Sequence, residues 1–211
     1  NVKKAVDRLI ALHVDILLLN SGIYNVPLKT CDTGYNNVFQ VNFLSQYYIA
    51  LKLVENSRSL EKVVITSSIA LRYGKIDEND IDYSTRKKSG KIYGNSKRLL
   101  TYALYERFAE NERIKLSVAH PGVTLTNMTN HYPRLINPIV KIGIKLFFPS
   151  PKKAIRSILL AVREQSCGYA EWIGPAVFDV WGKPKKTVLT SCSKEESKRI
   201  AKIAQDIYDK L

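Results

Sequence analysis

The 211 residues match the size of one domain. Their 45% hydrophobic and 25% charged content, with 10 Gly and 8 Pro, excludes disordered and collagen-like chains. An excess of 33 Lys+Arg over 19 Asp+Glu gives a net charge of +14, which favours anionic ligands without choosing among nucleotides, nucleic acid and acidic lipid.

The chain has three cysteines, Cys31, Cys167 and Cys192, an odd number with no C-x-x-C spacing. That argues against a disulfide framework or a zinc cluster and points to a reducing, cytoplasmic location. His13, His120 and His131 are scattered, so no metal site is expected. Uninterrupted apolar stretches fall short of the roughly 18 to 20 residues of a membrane helix.

Val2 to Leu12 is amphipathic and reads as a helix, followed by the apolar run Val14 to Asn20, which predicts a strand buried on both faces. Gly34 to Glu55 places Val38, Val41, Leu44, Tyr48 and Leu51 at helical spacing. Lys62 to Ser68 is a second strand, Tyr93 to Asn111 a second long helix, and Lys115 to His120 a third strand closed by Pro121 and Gly122. Lys152 to Gln165 predicts a helix, Tyr169 to Ile173 a last strand, and Ser193 to Leu211 a polar helix opened by a Ser193/Glu196 capping box.

Buried strands alternating with long helices predict an α/β fold, a three-layer Rossmann-type parallel sheet with helices on both faces, as one domain over residues 1–211. Ligands of such sheets sit beyond the carboxyl ends of the strands. Those ends are Asn20-Ser21-Gly22, Ser67-Ser68 and His120-Pro121-Gly122.

Tyr93 and Lys97 lie four apart at a helix start, hence on one face. The bare spacing carries no weight, because a chain with 12 Tyr yields about one such pair by chance. Tyr48 with Lys52 and Tyr83 with Lys87 fit it too. Context separates Tyr93: Ser96 precedes the lysine, Ser67-Ser68 ends the preceding strand, and Asn42 lies within the helix before that.

In that order the sequence resembles the short-chain dehydrogenase/reductase family, whose signatures run N-A-G, a helical Asn, S-S, Y-x-x-S-K and P-G-x-x-x-T. Here they read Asn20-Ser21-Gly22, Asn42, Ser67-Ser68, Tyr93 to Lys97 and Pro121 to Thr126. Ser21 replaces the usual alanine.

The resemblance implies an NAD(P)-dependent oxidoreductase acting on an alcohol/carbonyl pair. Tyr93 would be the general acid/base, Lys97 its activator and ribose ligand, Ser68 the carbonyl-orienting hydroxyl, and Asn42 the holder of a proton-relay water. Asn20, Ser21, Gly22, Tyr93, Lys97, Pro121, Gly122 and Thr126 would contact NAD or NADP. Bringing a phenol from near 10 toward neutrality requires about 4 kcal/mol of phenolate stabilisation, which an adjacent ammonium and a cationic nicotinamide can supply.

The family's glycine-rich T-G-x-x-x-G-x-G unit is missing, since no glycine precedes Gly22. The chain therefore reads as the C-terminal part of a longer enzyme, N-terminally truncated. The strand ending at Asn20 then becomes a sheet edge, and the chain alone is expected to bind dinucleotide weakly.

The long stretch from Ile69 to Ile92 resembles that of retinol-dehydrogenase-like and protochlorophyllide-reductase-like members, which implies a lipophilic small-molecule substrate. Residues 129–168 correspond to the family's substrate lid and following helix. The basic, apolar run Arg134 to Lys153 also suits an interfacial membrane helix. Homo-oligomers through the two long helices are implied as well. The alternatives are a catalytically silent Rossmann-type binding protein or an inactive fragment, and an anion or nucleic-acid binder; dispersed basic residues and the absence of a nucleic-acid motif argue against the last.

Overall fold

The computed structural model describes residues 2–122, 150–164 and 166–211. Five strands form one sheet in the order β1-β2-β3-β4-β5: β1 (Ile16–Leu19), β2 (Lys62–Thr66), β3 (Lys115–Ala119), β4 (Glu171–Val177) and β5 (Trp181–Val188). The first four run parallel, with β3 and β4 meeting at the single pair Ala119 and Ile173, and β5 returns antiparallel on β4.

Alternation along the strands sorts side chains into two layers. Leu17, Leu19, Val63, Ile65, Leu116 and Val118 face the main core with α1 (Val2–Ala11), α3 (Ser45–Asn56), α4 (Ser89–Phe108) and α6 (Lys194–Tyr208). Val64, Ala119 and Ile173 face the opposite side, where Ala161 of α5 (Pro151–Arg163) covers them. The Rossmann-type α/β sheet with helices on both faces is thus present.

Three local readings change. The run Val14 to Asn20 is the edge strand expected of it, β1, but it is shorter and buried on one face rather than both: Leu17 and Leu19 are buried, while Ile16 and Leu18 are 45% and 42% exposed. The layer that α5 builds lies over β2 to β5, so an apolar sequence at the sheet's end keeps one face open. The last strand is longer than Tyr169 to Ile173 and turns back at Phe178 and Asp179, both at positive φ, into the unforeseen β5. Its Lys183, Lys185 and Pro184 suit an edge strand and had masked it as loop.

The helix expected from Gly34 to Glu55 is a composite: α2 (Asn37–Phe39), a π-helical turn at Gln40–Leu44, then α3. Asn36 caps it, its side chain accepting from Phe39 N at 2.9 Å. Ser193 caps α6 as the capping box predicts, accepting from Glu196 N at 3.1 Å.

Buried polar groups tie the layers. Lys62, 7% exposed, donates its ammonium to the carbonyls of Val162 at 2.9 Å and Glu164, satisfying acceptors that the end of α5 leaves unpaired. Arg98 donates to Glu196 at 3.0 Å and to the Ser191 carbonyl at 2.7 Å, pinning α6 onto α4. One side of α4 is thereby packed by α6 of the same chain. The expected lid and Thr126 fall at 123–149, outside the described residues, apart from the helix α5. Among the described residues no helix is long and apolar enough to cross a membrane.

Candidate active site

Adjacent strand residues point to opposite sides, and the Ser-Ser pair divides accordingly. Ser67 turns into the core, where its hydroxyl meets that of Thr101 at 2.8 Å. Ser68 caps the 3₁₀ segment Ile69–Tyr73 by accepting from Ala70 N at 3.2 Å, and its hydroxyl lies near enough to the Tyr93 phenol to favour the phenolate.

That meeting depends on Gly94. A Cβ there would stand 2.2 Å from the Ala70 carbonyl oxygen, so only hydrogen lets the 3₁₀ backbone lie on the start of α4.

Lys97, 2% exposed, runs beneath this pair. Its ammonium donates to the Thr66 carbonyl at 2.8 Å and to the Ser21 carbonyl at 3.4 Å, and lies 6.0 Å from the centre of the Tyr93 ring. Burial pushes its pKa down to about 8. Burial pushes the Tyr93 phenol up to about 12, against the hydrogen bond from Ser68, while Tyr24 packs edge-on at 5.3 Å and raises it further. Acidification of the phenol is expected from the ammonium and a cationic nicotinamide together. With the chain's own groups alone desolvation prevails, because Lys97 is turned onto two carbonyls.

The depressed lysine makes a stability prediction. The unfolded chain holds the Lys97 proton up to about 10.5 and the folded chain only to about 8, so the unfolded state binds more protons between these values. The parent is therefore expected to gain roughly 2 to 3 kcal/mol relative to Lys97→Met as pH rises through that window. Paired urea titrations at several pH values measure it; a constant difference would mean the ammonium is not desolvated.

Asn42 sits in the π-helical turn, a distortion frequent at functional sites. Its side chain brackets one residue, accepting from Ile23 N at 2.8 Å and donating to Ile23 O at 2.9 Å, and also donates to Ser96 Oγ at 3.1 Å. Asn42 thus fixes the loop after β1 against α4. Within that loop Asn20 accepts from Thr66 Oγ1 at 2.9 Å, and a Cβ on Gly22 would lie 3.6 Å from the Lys97 ammonium.

Pro121 and Gly122 end β3 beside the β4–β5 hairpin. Gly122, at φ +76°, packs under Pro175 and Asp179. Next to them His120 is fully buried, stacked 4.0 Å from Trp172 and 3.3 Å from the Asp179 carboxylate, which Arg72 engages at 2.9 Å. Burial pushes His120 toward its neutral form. His120 and Arg72 hold Asp179 below the usual carboxylate range, and with a neutral imidazole the full charge is that of Arg72.

The structure therefore gathers Asn20, Ser21, Gly22, Asn42, Ser68, Tyr93 and Lys97 at the carboxyl ends of β1 and β2 and puts Pro121 and Gly122 at the next strand end. Thr126 lies outside the described residues.

No protein-family model matches the chain. Human retinol dehydrogenase 14 is 29% identical over 157 residues, 71% of this chain and 46% of that protein. A short chain dehydrogenase of Aspergillus sclerotiorum is 43% identical over 56 residues, covering 26% of this chain and 16% of that one. The chain is a relative of the short-chain dehydrogenases/reductases.

It spans less than half the length of the retinol dehydrogenase it matches. A crystal structure of an uncharacterised Mycobacterium paratuberculosis protein, 20% identical, superposes over 99% of this chain and 71% of its own with a TM-score of 0.70, which supports the shared fold.

Several neighbours of the short-chain dehydrogenase motifs escaped the sequence reading. Tyr24 stands two residues past the N-S-G turn, Gln46 one helical turn past Asn42, and Asp179 on a hairpin that was itself unforeseen. For Gln46 the i+4 spacing from Asn42 was the available signal.

Proposed function

We propose that the chain carries the proton-transfer half of an NAD(P)-dependent oxidoreductase that interconverts an alcohol and a carbonyl on a lipophilic small molecule. The observation that carries this is the Tyr93 phenol set beside Ser68, with the Lys97 ammonium 6.0 Å from the centre of its ring.

The residues fit a nicotinamide nucleotide. An ammonium has three N–H donors, and Lys97 directs bonds at the Thr66 and Ser21 carbonyls, which leaves a donor for a ribose hydroxyl. Asn20 and Ser21 line the same strand end. When bound, the nicotinamide supplies or accepts the hydride.

The chain's own part is the proton. Ser68 orients the substrate oxygen, and Tyr93 donates to it in reduction or accepts from it in oxidation. A phenol pushed up by burial arrives protonated, ready to donate. The oxidative direction requires the cationic nicotinamide to bring it down. Asn42 serves as a positioning residue, since it holds the loop that carries Ser21. The lipophilic substrate rests on the relatives' name and on the long Ile69 to Ile92 stretch.

The test is nicotinamide absorbance with NADH or NADPH and a lipophilic aldehyde, run on this chain and on the longest native protein that contains it. Turnover needing both cofactor and aldehyde is expected. No turnover in any arm would favour a catalytically silent binding protein.

A further inference from the structure

Gln46 is buried at 3% exposure and opens the helix that follows the π-helical turn. In that turn Ser45 N reaches back to the Gln40 carbonyl, a wider register that leaves neighbouring carbonyls short of a partner. The Gln46 side-chain amide supplies one, donating to Asn42 O at 2.8 Å and Val41 O at 3.1 Å. It also crosses to the loop after β1 and donates to Ser21 O at 3.0 Å.

Three acceptors around one nitrogen fix the amide's orientation, because a flip would set oxygen against three carbonyl oxygens. The other end, Gln46 Oε1, is buried without a hydrogen-bond partner. A buried acceptor without a partner is costly, a cost that an apolar side chain in this place would avoid.

The Ser21 carbonyl is also one of the two acceptors of Lys97. Gln46 holds it at 3.0 Å and the ammonium at 3.4 Å, so the Thr66 carbonyl at 2.8 Å is the closer acceptor left to Lys97. We propose that Gln46 is a positioning residue for Lys97: by drawing the Ser21 carbonyl toward its own amide it keeps that carbonyl at the longer distance from the ammonium and so sets the charge with which Lys97 supports Tyr93.

The proposal rests on the reading of Tyr93 and Lys97 as proton-transfer machinery. Among the described residues the titratable group facing Lys97 is Tyr93 on its own helix, with Tyr24 edge-on to that ring, whereas Ser21, Asn42 and Thr66 are neutral. The amide is therefore the adjustable influence on the ammonium.

Nuclear magnetic resonance of the Lys97 ammonium, followed through a pH titration, tests this without any turnover. In Gln46→Met the freed Ser21 carbonyl should bind the ammonium more closely, and the Lys97 midpoint should rise by about one pH unit toward that of free lysine. In the unsubstituted chain the Gln46 side-chain amide resonances should shift with the same midpoint as Lys97, a measurement that needs no variant to fold. An unmoved Lys97 midpoint in Gln46→Met, or Gln46 resonances indifferent to the Lys97 titration, would overturn the proposal and leave Gln46 a brace of the π-helical turn. Coupling in the titration with no turnover in the native protein would instead contradict the enzymatic reading.

Discussion

Replacing Tyr93 by phenylalanine is expected to lower alcohol–carbonyl turnover about 10²- to 10⁴-fold, the usual contribution of a positioned acid or base. The substitution is narrow. Phenylalanine keeps the ring that packs edge-on with Tyr24 at 5.3 Å and removes the hydroxyl that meets Ser68. Ser68 keeps its contact with Ala70 N, so no newly isolated hydroxyl unsettles the 3₁₀ segment. The loss should therefore fall on kcat, with the nicotinamide KM and thermal stability close to those of the parent, because the missing interaction acts at the reacting oxygen. Retained turnover would assign the proton to another group.

Gly94→Ala is expected to destabilise the chain by about 3 kcal/mol or more, at or beyond the upper end for overpacking. Its added Cβ would stand 2.2 Å from Ala70 O and 3.1 Å from the Ala70 carbonyl carbon. Both are backbone atoms, with no flexible side chain to swing aside. Relief requires the 3₁₀ segment Ile69–Tyr73 to lift off α4. Ser68 caps that segment, so lifting it pulls Ser68 away from Tyr93. Denaturant titration should show the stability loss, and the Tyr93 titration should change with it. A variant of parental stability would mean that the two backbones do not approach so closely.

The strands could be read ahead of the fold because their residues are apolar in unbroken runs, and the long helices because Leu100, Leu104 and Phe108 recur at helical spacing. Site residues could be read because chemistry fixes their types in order. What stayed hidden depends on partners distant in sequence. That β1 is an edge followed from the missing glycine-rich unit, but the open face of Ile16 and Leu18 reflects where α5 stops covering the sheet, which no property of those residues encodes. The hairpin to β5 turns at Phe178 and Asp179, non-glycine residues at positive φ, so the usual glycine signal for a tight turn is missing there. Gln46 looks like any polar helix residue until the π-helical turn rotates it toward Ser21. Acidification of the Tyr93 phenol is expected from Lys97 together with a bound cationic nicotinamide; in the chain by itself burial, which sequence spacing does not report, holds the phenol up.

The account turns on the Tyr93 phenol being buried against Ser68 above Lys97, and its ionisation reports that placement directly. Carbon-13 labelled tyrosine followed through an alkaline titration should show Tyr93 un-ionised past the ordinary phenol range, turning over only near pH 12, and later still in Ser68→Ala, where the hydrogen bond that favours the phenolate is gone. A Tyr93 that ionises at about pH 10, as a solvated phenol does, and ignores the loss of Ser68 would contradict it.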